Sequence, residues 1–227
     1  MTKEKKRNFS AEEIYDRILL AITERRLLPG ARLIEERLSE VTGASRARVR
    51  QVLARLAHEQ LIDLVPNKGA CIASPSVEEA QQLFFTRRLI EPSLVAELAG
   101  RLSAAQIKRL RAHVEAEHKA RAARDMRSVI RLSGEFHMLL AELSEADMLF
   151  RIMRELTTFT CLIITLYDKP TVSACSDEEH SALIDCLEAG DSEGARQRML
   201  AHLLGIEQAL DLTDAEDGAP DFDEIFK

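Results

Sequence analysis

The stretch that decides the fold runs from residue 45 to residue 73 and reads SRARVRQVLARLAHEQLIDLVPNKGACIA. In its first half, apolar residues repeat at the spacing of one helix face; they are Val49, Val52, Leu53 and Leu56. Ser45 is a good N-cap for this helix. Ala47 and Gln51 lie on the opposite face, and arginines flank them. The pattern therefore predicts an amphipathic helix with a basic outer face.

This outer face is suited to the major groove of DNA. Arginines can contact phosphates or guanine edges, and Gln51 can pair with adenine through two hydrogen bonds. The alternative is an ordinary solvated helix face whose arginines contact only water. The basic helix alone leaves both interpretations open.

The residues before the basic helix favour the DNA interpretation. Ser10 and Glu13 have the spacing of a capping box, and the helix that they begin ends at Pro29-Gly30. A shorter helix is predicted at residues 35–42, with Leu38 and Val41 facing inward. Residues 42–44 then form a tight turn into the basic helix. This order of elements is that of a helix-turn-helix.

Two short β-rich runs follow the basic helix, at residues 61–65 and 70–73, and are joined by Pro66-Asn-Lys-Gly69. Gly69 can adopt a positive φ at the tip of this hairpin and lets the backbone approach a ligand closely. Lys68 stands beside it, where it could contact a phosphate or the minor groove. The hairpin completes the prediction of a winged helix-turn-helix.

Residues 11–74 as a whole resemble the DNA-binding domain of the GntR family of bacterial transcription regulators. The shared run is Pro-Gly, an acidic short helix, a Ser-Arg-x-x-Val-Arg motif and a wing that ends in glycine. The resemblance implies that Gly69 is the wing tip. It also implies that operator DNA is contacted by Ser45, Arg46, Arg48 and Arg50.

Four positions depart from the family's usual pattern. Ala47-Arg48 stands where members commonly have Thr-Pro, Gln51 where they have Glu, and Lys68 where they have Arg. Arg48 and Gln51 make the basic helix more basic than is usual in the family, and the expectation of DNA binding is unchanged.

Composition limits the class of protein. A chain of 227 residues with 46% apolar residues fits one or two globular domains. No run approaches the roughly 20 apolar residues of a membrane span, and no apolar stretch follows the basic N-terminus as in a secretory signal. The four cysteines have no paired spacing and are predicted to be reduced thiols. We therefore expect a cytoplasmic protein.

Charge is divided unevenly along the chain. Residues 1–75 hold 14 Lys and Arg against 10 Asp and Glu, whereas the remainder holds 17 against 28. A basic module on an acidic one indicates two domains with different partners. We predict a DNA-binding domain at residues 8–74, a second domain at 75–212, and a disordered acidic tail at 213–227.

The second domain shows helical spacing throughout, and the fold class is therefore mainly α. Six helices are predicted at about 77–99, 103–123, 126–144, 146–167, 177–189 and 191–211. Together they indicate an antiparallel helical bundle.

Three histidines of this bundle, His137, His180 and His202, fall on three different helices. They could converge on one divalent metal, since imidazole suits Zn or Ni. The alternative is three unrelated polar positions, because no two of them share a short motif. His113 and His118 lie on a highly charged helix and are predicted to be solvated.

The second half resembles the FCD effector domain of the FadR subgroup of GntR regulators. The matching pieces are Arg87-Arg-Leu-Ile-Glu91, Phe136-His137, and the run from Glu179-His180 through Gly190-Asp191 to His202. The resemblance implies metal binding by His137, His180 and His202 beside a pocket for a small carboxylate. Six helices imply the shorter, VanR-like version of the domain.

Ser133 and Arg87 are two positions of the implied effector pocket. Ser133 stands where the family has an acidic metal ligand. Without that carboxylate, the site could bind a metal weakly or could need the effector as a further ligand. The third alternative is a pocket without a metal. Arg87 is expected to bind the effector's carboxylate through its guanidinium. The alternative for Arg87 is a simple ion pair with Glu91, one turn further along.

These observations predict a homodimeric transcription regulator, a repressor, that binds a pseudo-palindromic operator and is released by a small organic acid. The alternative is a metal-dependent enzyme that uses the three histidines to activate water. An architectural DNA-binding protein without a ligand would leave the acidic bundle unexplained.

Overall fold

The N-terminal part of the computed structural model combines three helices with a small antiparallel sheet. The structure describes residues 8–65, 69–167 and 178–212. The helices are α1 (Ala11–Thr23), α2 (Glu35–Thr42) and α3 (Arg46–His58), and the strands are β1 (Arg32–Leu33), β2 (Ile62–Val65) and β3 (Gly69–Ile72). The strand order is β1-β3-β2. Together these elements form the winged helix-turn-helix that the sequence predicts.

Local chemistry explains where these helices begin. The hydroxyl of Ser10 accepts from the backbone N–H of Glu13, whose carboxylate accepts from the backbone N–H of Ser10. Ser45 caps α3 by accepting from the backbone N–H of Arg48 at 3.3 Å. The predicted caps are therefore confirmed. Gly69 has a φ of +87°, the positive value that was expected of it.

The predicted inward position of Val41 is wrong. Its side chain is 54% exposed, whereas Leu38 is half-buried against the core. Thr42 is buried in its place and donates its hydroxyl hydrogen to the carbonyl of Leu38. The left-handed Gly43 then ends α2, so the last turn presents Thr42 to the core and Val41 to solvent.

The strand β1 was not predicted. Arg32 and Leu33 pair with Cys71 and Ala70 of β3, which places β3 at the centre of the sheet. Leu33 is buried whereas Arg32 is exposed. A two-residue run is too short to show the alternation by which a strand is recognised in sequence.

The C-terminal part is the predicted helical bundle. Its described residues form α4 (Val77–Leu98), α5 (Ala104–Ala122), α6 (Met126–Leu143), α7 (Asp147–Tyr167), α8 (Glu179–Ala189) and α9 (Ser192–Ala209). Capping boxes at Ser76 and Ser103 begin α4 and α5. The largest apolar cluster lies among these helices and includes the fully buried Phe136, Leu140 and Met153.

The winged part and the helical bundle also contact each other directly. Leu162 of α7 is buried in the same apolar cluster as α1 and α3. Arg25, just after α1, donates from Nη2 to the carbonyl of Ile164 at 3.2 Å. The helix α7 therefore belongs to the bundle and also supports the winged part.

Some predictions lie outside the described residues, namely those on Lys68, on Cys175 and on the acidic tail at 213–227. The other cysteines are free thiols, of which Cys161 and Cys186 are buried and Cys71 is half-buried. Within the described ranges, no helix combines the length and apolarity that a membrane span requires.

Candidate functional site

The outer face of α3 is exposed as predicted. Arg46, Ala47, Arg50 and Gln51 are exposed, whereas Val49, Val52, Leu53 and Leu56 are buried. The buried residues fix α3 against α1 and the sheet, so the exposed face is held on a rigid support. Ser45 is exposed at the start of this face.

Two glutamates of α2 lie beside the arginines of this face. Arg46 pairs with Glu36 at 2.5 Å, and Arg50 lies 3.7 Å from Glu35. Both arginines are more than 60% exposed, so these pairs are weak and can be exchanged for phosphate contacts.

Arg48 has a different environment from its neighbours. It is half-buried, and its Nη1 donates to the side chain of Asn8 at 2.7 Å and to the carbonyl of Phe9 at 2.9 Å. In the free protein, the side chain of Arg48 therefore holds the segment that precedes α1.

The three histidines of the bundle are brought together. His137 of α6, His180 of α8 and His202 of α9 are each at most 4% exposed. The Nε2 atom of His202 lies 3.2 Å from that of His137 and 3.3 Å from that of His180. The three rings thus face one point in the bundle core, and the interpretation as unrelated polar positions is wrong.

A carboxylate contacts the other nitrogen of each ring. The Nδ1 atoms of His137, His180 and His202 lie 2.5, 2.8 and 2.6 Å from oxygens of Glu91, Glu117 and Glu179. Because an ionised carboxylate only accepts hydrogen bonds, each Nδ1 is the donor. The Nε2 atom of His202 is then left with its lone pair between those of His137 and His180.

This arrangement fits a divalent transition metal. Two nitrogens at 2.0–2.1 Å from a tetrahedral zinc are about 3.4 Å apart, close to the 3.2 and 3.3 Å between the Nε2 atoms. Histidines that bind metals commonly donate their second nitrogen to a carboxylate, which fixes the tautomer and the ring orientation. All three rings have such a partner.

Burial controls the protonation of the cluster. It lowers the pKa of His137 to about 3, although the negative charge of Glu91 offsets part of that effect. Burial and the neighbouring His202 likewise lower the pKa of His180. Neutral imidazoles are the form that a metal requires, so His137 and His180 are suited to bind a metal at neutral pH.

Arg87 and Glu91 extend the cluster into α4. Both residues are 1% exposed, and Arg87 Nε donates to Glu91 at 2.5 Å. Burial would raise the pKa of Glu91, but Arg87 and His137 outweigh it and hold the pKa at about 2. The ion pair considered as the alternative for Arg87 is therefore present, and it is buried.

The guanidinium of Arg87 is only partly satisfied by this pair. Its Nη1 donates to the hydroxyl of Thr160 at 3.2 Å. Its Nη2 is buried and has no hydrogen-bond partner among the described residues. An unsatisfied buried donor is costly, so Nη2 is a candidate contact for a ligand oxygen.

Sequence reasoning missed the roles of Glu117 and Phe136. Glu117 lies on the charged helix α5, and burial raises its pKa. Phe136 stacks on His180 with ring centres 4.0 Å apart. Phe136 lies on α6, and the role of Glu117 depends on how α5 packs against α8, so helical spacing along α5 does not display either role.

The expected solvation of His113 is also wrong, because this half-buried ring donates from Nε2 to the carbonyl of Leu132 at 2.8 Å. His118 is likewise half-buried.

Two protein-family models match this chain. Residues 10–72 match the bacterial regulatory proteins of the gntR family, and residues 82–205, more than half of the chain, match the FCD domain. The chain belongs to the GntR family of regulators with an FCD domain. It is therefore a DNA-binding transcription regulator rather than a metal-dependent enzyme.

Curated relatives and solved structures agree with this assignment. The chain is 21% identical to the HTH-type transcriptional repressor RspR of Escherichia coli over 200 residues, covering 88% of each chain. It is 24% identical to the HTH-type transcriptional regulator LutR of Bacillus subtilis, covering 81% of this chain and 93% of LutR. The structure of E. coli McbR/YncC has the same fold, with a TM-score of 0.76, 21% identity and coverage of 86% of this chain and 93% of that one.

Proposed function

We propose that this regulator is a homodimeric repressor that leaves its operator when a small organic acid binds beside a metal in the helical bundle. The observation that carries the proposal is the convergence of three imidazole Nε2 atoms next to the buried Arg87. The repressor activity is supported by the relative RspR, which is a transcriptional repressor by name. Because a regulator of this family acts on DNA, we place the protein in the cytoplasm.

The proposed DNA contacts lie on α3 and the wing. Arg46 and Arg50 contact phosphates or guanine edges, Gln51 reads adenine, and Ser45 contacts a phosphate at the start of the helix. Arg48 can contribute from the side of α3, where its contact with Asn8 ties down the preceding segment. Gly69 and Lys68 contribute from the wing. In a dimer, two such faces read the two halves of a pseudo-palindrome.

The metal in the proposal is held by His137, His180 and His202. Three histidine ligands leave coordination positions open for a ligand oxygen. Zn or Ni suits three nitrogen ligands better than Mg or Ca, which prefer oxygen. When bound, the metal would supply a positive charge that attracts a carboxylate. The division into domains at 8–74 and 75–212 assigns this metal to the second domain.

Arg87 gives the proposed effector its second contact. The unpartnered Nη2 atom can donate to one carboxylate oxygen without breaking the pair with Glu91. Ser133, buried one turn before His137 on α6, contributes a hydroxyl in place of the family's acidic ligand. A 2-hydroxy acid suits the site, because its hydroxyl and carboxylate oxygens can both reach an open metal position.

The helix α7 is the proposed route from the effector to DNA. Thr160 accepts a hydrogen bond from Arg87, and Leu162, two residues later, packs in the core of the winged part. A ligand that moves the guanidinium of Arg87 would displace α7 and with it the winged part. The coupling is reciprocal, so operator DNA must weaken effector binding by the same factor.

Dimerisation is supported by an apolar face on α4. Phe85 and Leu89, one turn apart, are 57% and 61% exposed. A second copy of the chain would bury them, and sedimentation of Phe85→Glu tests this because a buried charge at that position should produce monomers.

The experiment for the proposal measures operator release. An operator selected from a random DNA library is labelled, and its fluorescence anisotropy is followed as L-lactate, citrate or succinate is added to nickel-loaded protein. We expect at least one acid to release wild type but not Arg87→Met, while Arg111→Met behaves as wild type. Arg111 is the matched control because it forms exposed pairs with Asp185 and Glu188. Release of Arg87→Met at the same acid concentration as wild type would contradict the effector role of Arg87.

A further inference from the structure

A cavity lies where the winged part meets the bundle. It has a volume of about 270 Å³ and lies between α1, α6 and α7. Its walls are mostly apolar, and they include Leu19, Leu20, Met138 and Cys161. None of the three clustered histidines lines it. It is therefore a different site from the one described above.

Two buried polar atoms in residues that line this cavity lack a partner. Arg154 Nε and Thr157 Oγ1 have no hydrogen-bond partner among the described residues. They lie three residues apart on α7, which brings them to one face of the helix. Buried polar groups are nearly always hydrogen-bonded, so two unpartnered atoms in one cavity indicate a missing polar ligand.

The charges around the cavity define the ligand further. Arg131 is paired with Glu135 at 2.9 Å, so the carboxylate of Glu135 already balances the charge of Arg131. The guanidinium of Arg154 lies 5.4 Å from the ring centre of Tyr15, and its Nε atom is left as a charged donor. Asp16 lines the same cavity and is exposed, which disfavours a second carboxylate on the ligand.

We propose that this cavity binds a small monocarboxylic acid with an apolar body. The carboxylate would accept from Arg154 Nε and from the hydroxyl of Thr157, while the body packs against Leu20 and Met138. A volume of about 270 Å³ is just below the roughly 300–1,000 Å³ of sites for drug-sized molecules. A single ring or a short chain therefore fits.

The position of the cavity makes its occupant a bridge between the two parts. Leu19 and Leu20 belong to α1, whereas Gly134 and Thr157 belong to the bundle helices α6 and α7. A side chain at Gly134 would come within 2.9 Å of Thr157 Cγ2. The two bundle helices are therefore packed closely at the floor of the cavity, which gives the site a rigid base.

The test is a titration with 4-fluorobenzoate followed by fluorine NMR, with hexanoate as a competitor. We expect wild type to bind one equivalent per chain. Thr157→Val, which keeps the side-chain shape, should weaken binding by about threefold or more, and Arg154→Met by about tenfold or more. Arg151→Met, an exposed neighbour on the same helix, is the matched control and should bind as wild type does.

The outcomes separate this cavity from the effector site. Retained binding in Arg87→Met, together with loss in Arg154→Met and Thr157→Val, supports the proposal. Binding that is lost in Arg87→Met but kept in Thr157→Val would place the acid in the bundle core and overturn it. Absence of binding by wild type at millimolar concentration would also overturn it. None of these results depends on operator release.

Discussion

The Nε2 atoms of His137 and His202 lie 3.2 Å apart, although the Nδ1 atom of each ring is bonded to a different glutamate. Where both rings donate from Nδ1 and neither Nε2 atom carries a proton, two lone pairs face each other, which is repulsive unless a cation lies between them. His180 adds a third ring whose Nδ1 atom contacts a glutamate and whose Nε2 atom lies 3.3 Å from that of His202. A proton can relieve one contact at most, whereas a divalent metal relieves all of them.

The missing acidic ligand gives the first prediction. Ser133→Asp should raise affinity for Zn and Ni by about tenfold or more, because a carboxylate adds charge and an oxygen donor near the three imidazoles. Calorimetric titration of chelator-treated proteins measures this. Ser192→Asp, which adds the same charge at an exposed position on α9, should leave the affinity unchanged. Equal affinities in wild type and Ser133→Asp would show that Ser133 does not occupy the ligand position.

Acid should destabilise the metal-free protein through His137. The unfolded chain takes up a proton as the pH falls through about 6.5, whereas burial keeps the folded ring neutral until about pH 3. Stability is therefore lost between these values as the pH falls. From pH 7 to pH 5 the loss is about 2 kcal/mol for this group.

Urea unfolding in the presence of a chelator measures that loss. His137→Gln should lose about 2 kcal/mol less than wild type over the same pH interval. His58→Gln, altered at an exposed position in the last turn of α3, should follow wild type. The same pH dependence in wild type and His137→Gln would contradict the buried, neutral state of His137.

The basic face of α3 is tested with a matched pair of arginines. Arg46→Ala should weaken operator binding by about tenfold or more and reduce its salt dependence, because a phosphate or guanine contact is lost. Arg37→Ala removes an exposed arginine of α2 that pairs with Glu40, and should change the affinity less than threefold. Electrophoretic shift assays compare them. Similar losses in the two variants would mean that general charge, not the face of α3, determines binding.

Gln51 should determine one base of each half-site. Gln51→Ala is expected to relax the preference at that position by about 1–3 kcal/mol, with little change for non-specific DNA. Selection from a random library compares the consensus of Gln51→Ala with that of wild type and of Gln81→Ala, an exposed glutamine of α4. If all three consensus sequences are identical, Gln51 does not read a base.

Local patterns predicted the elements better than the contacts between them. The face of α3 and the caps at Ser10 and Ser45 depend on residues a few positions apart, which a sequence displays directly. The pairing of Glu117 with His180 joins residues 63 positions apart, so it depends on how α5 and α8 pack. Resemblance to the FCD domain indicated the histidines, but not that Glu91, Glu117 and Glu179 contact and orient them.

The central claim is that these three histidines form a metal site, and its most direct test is calorimetric titration of the chelator-treated protein with Zn and with Ni. We expect one ion per chain in wild type, loss of binding in His202→Ala, and unchanged binding in His118→Ala, whose side chain lies outside the cluster. Failure of wild type to bind either ion, or equal binding by wild type and His202→Ala, would contradict the claim.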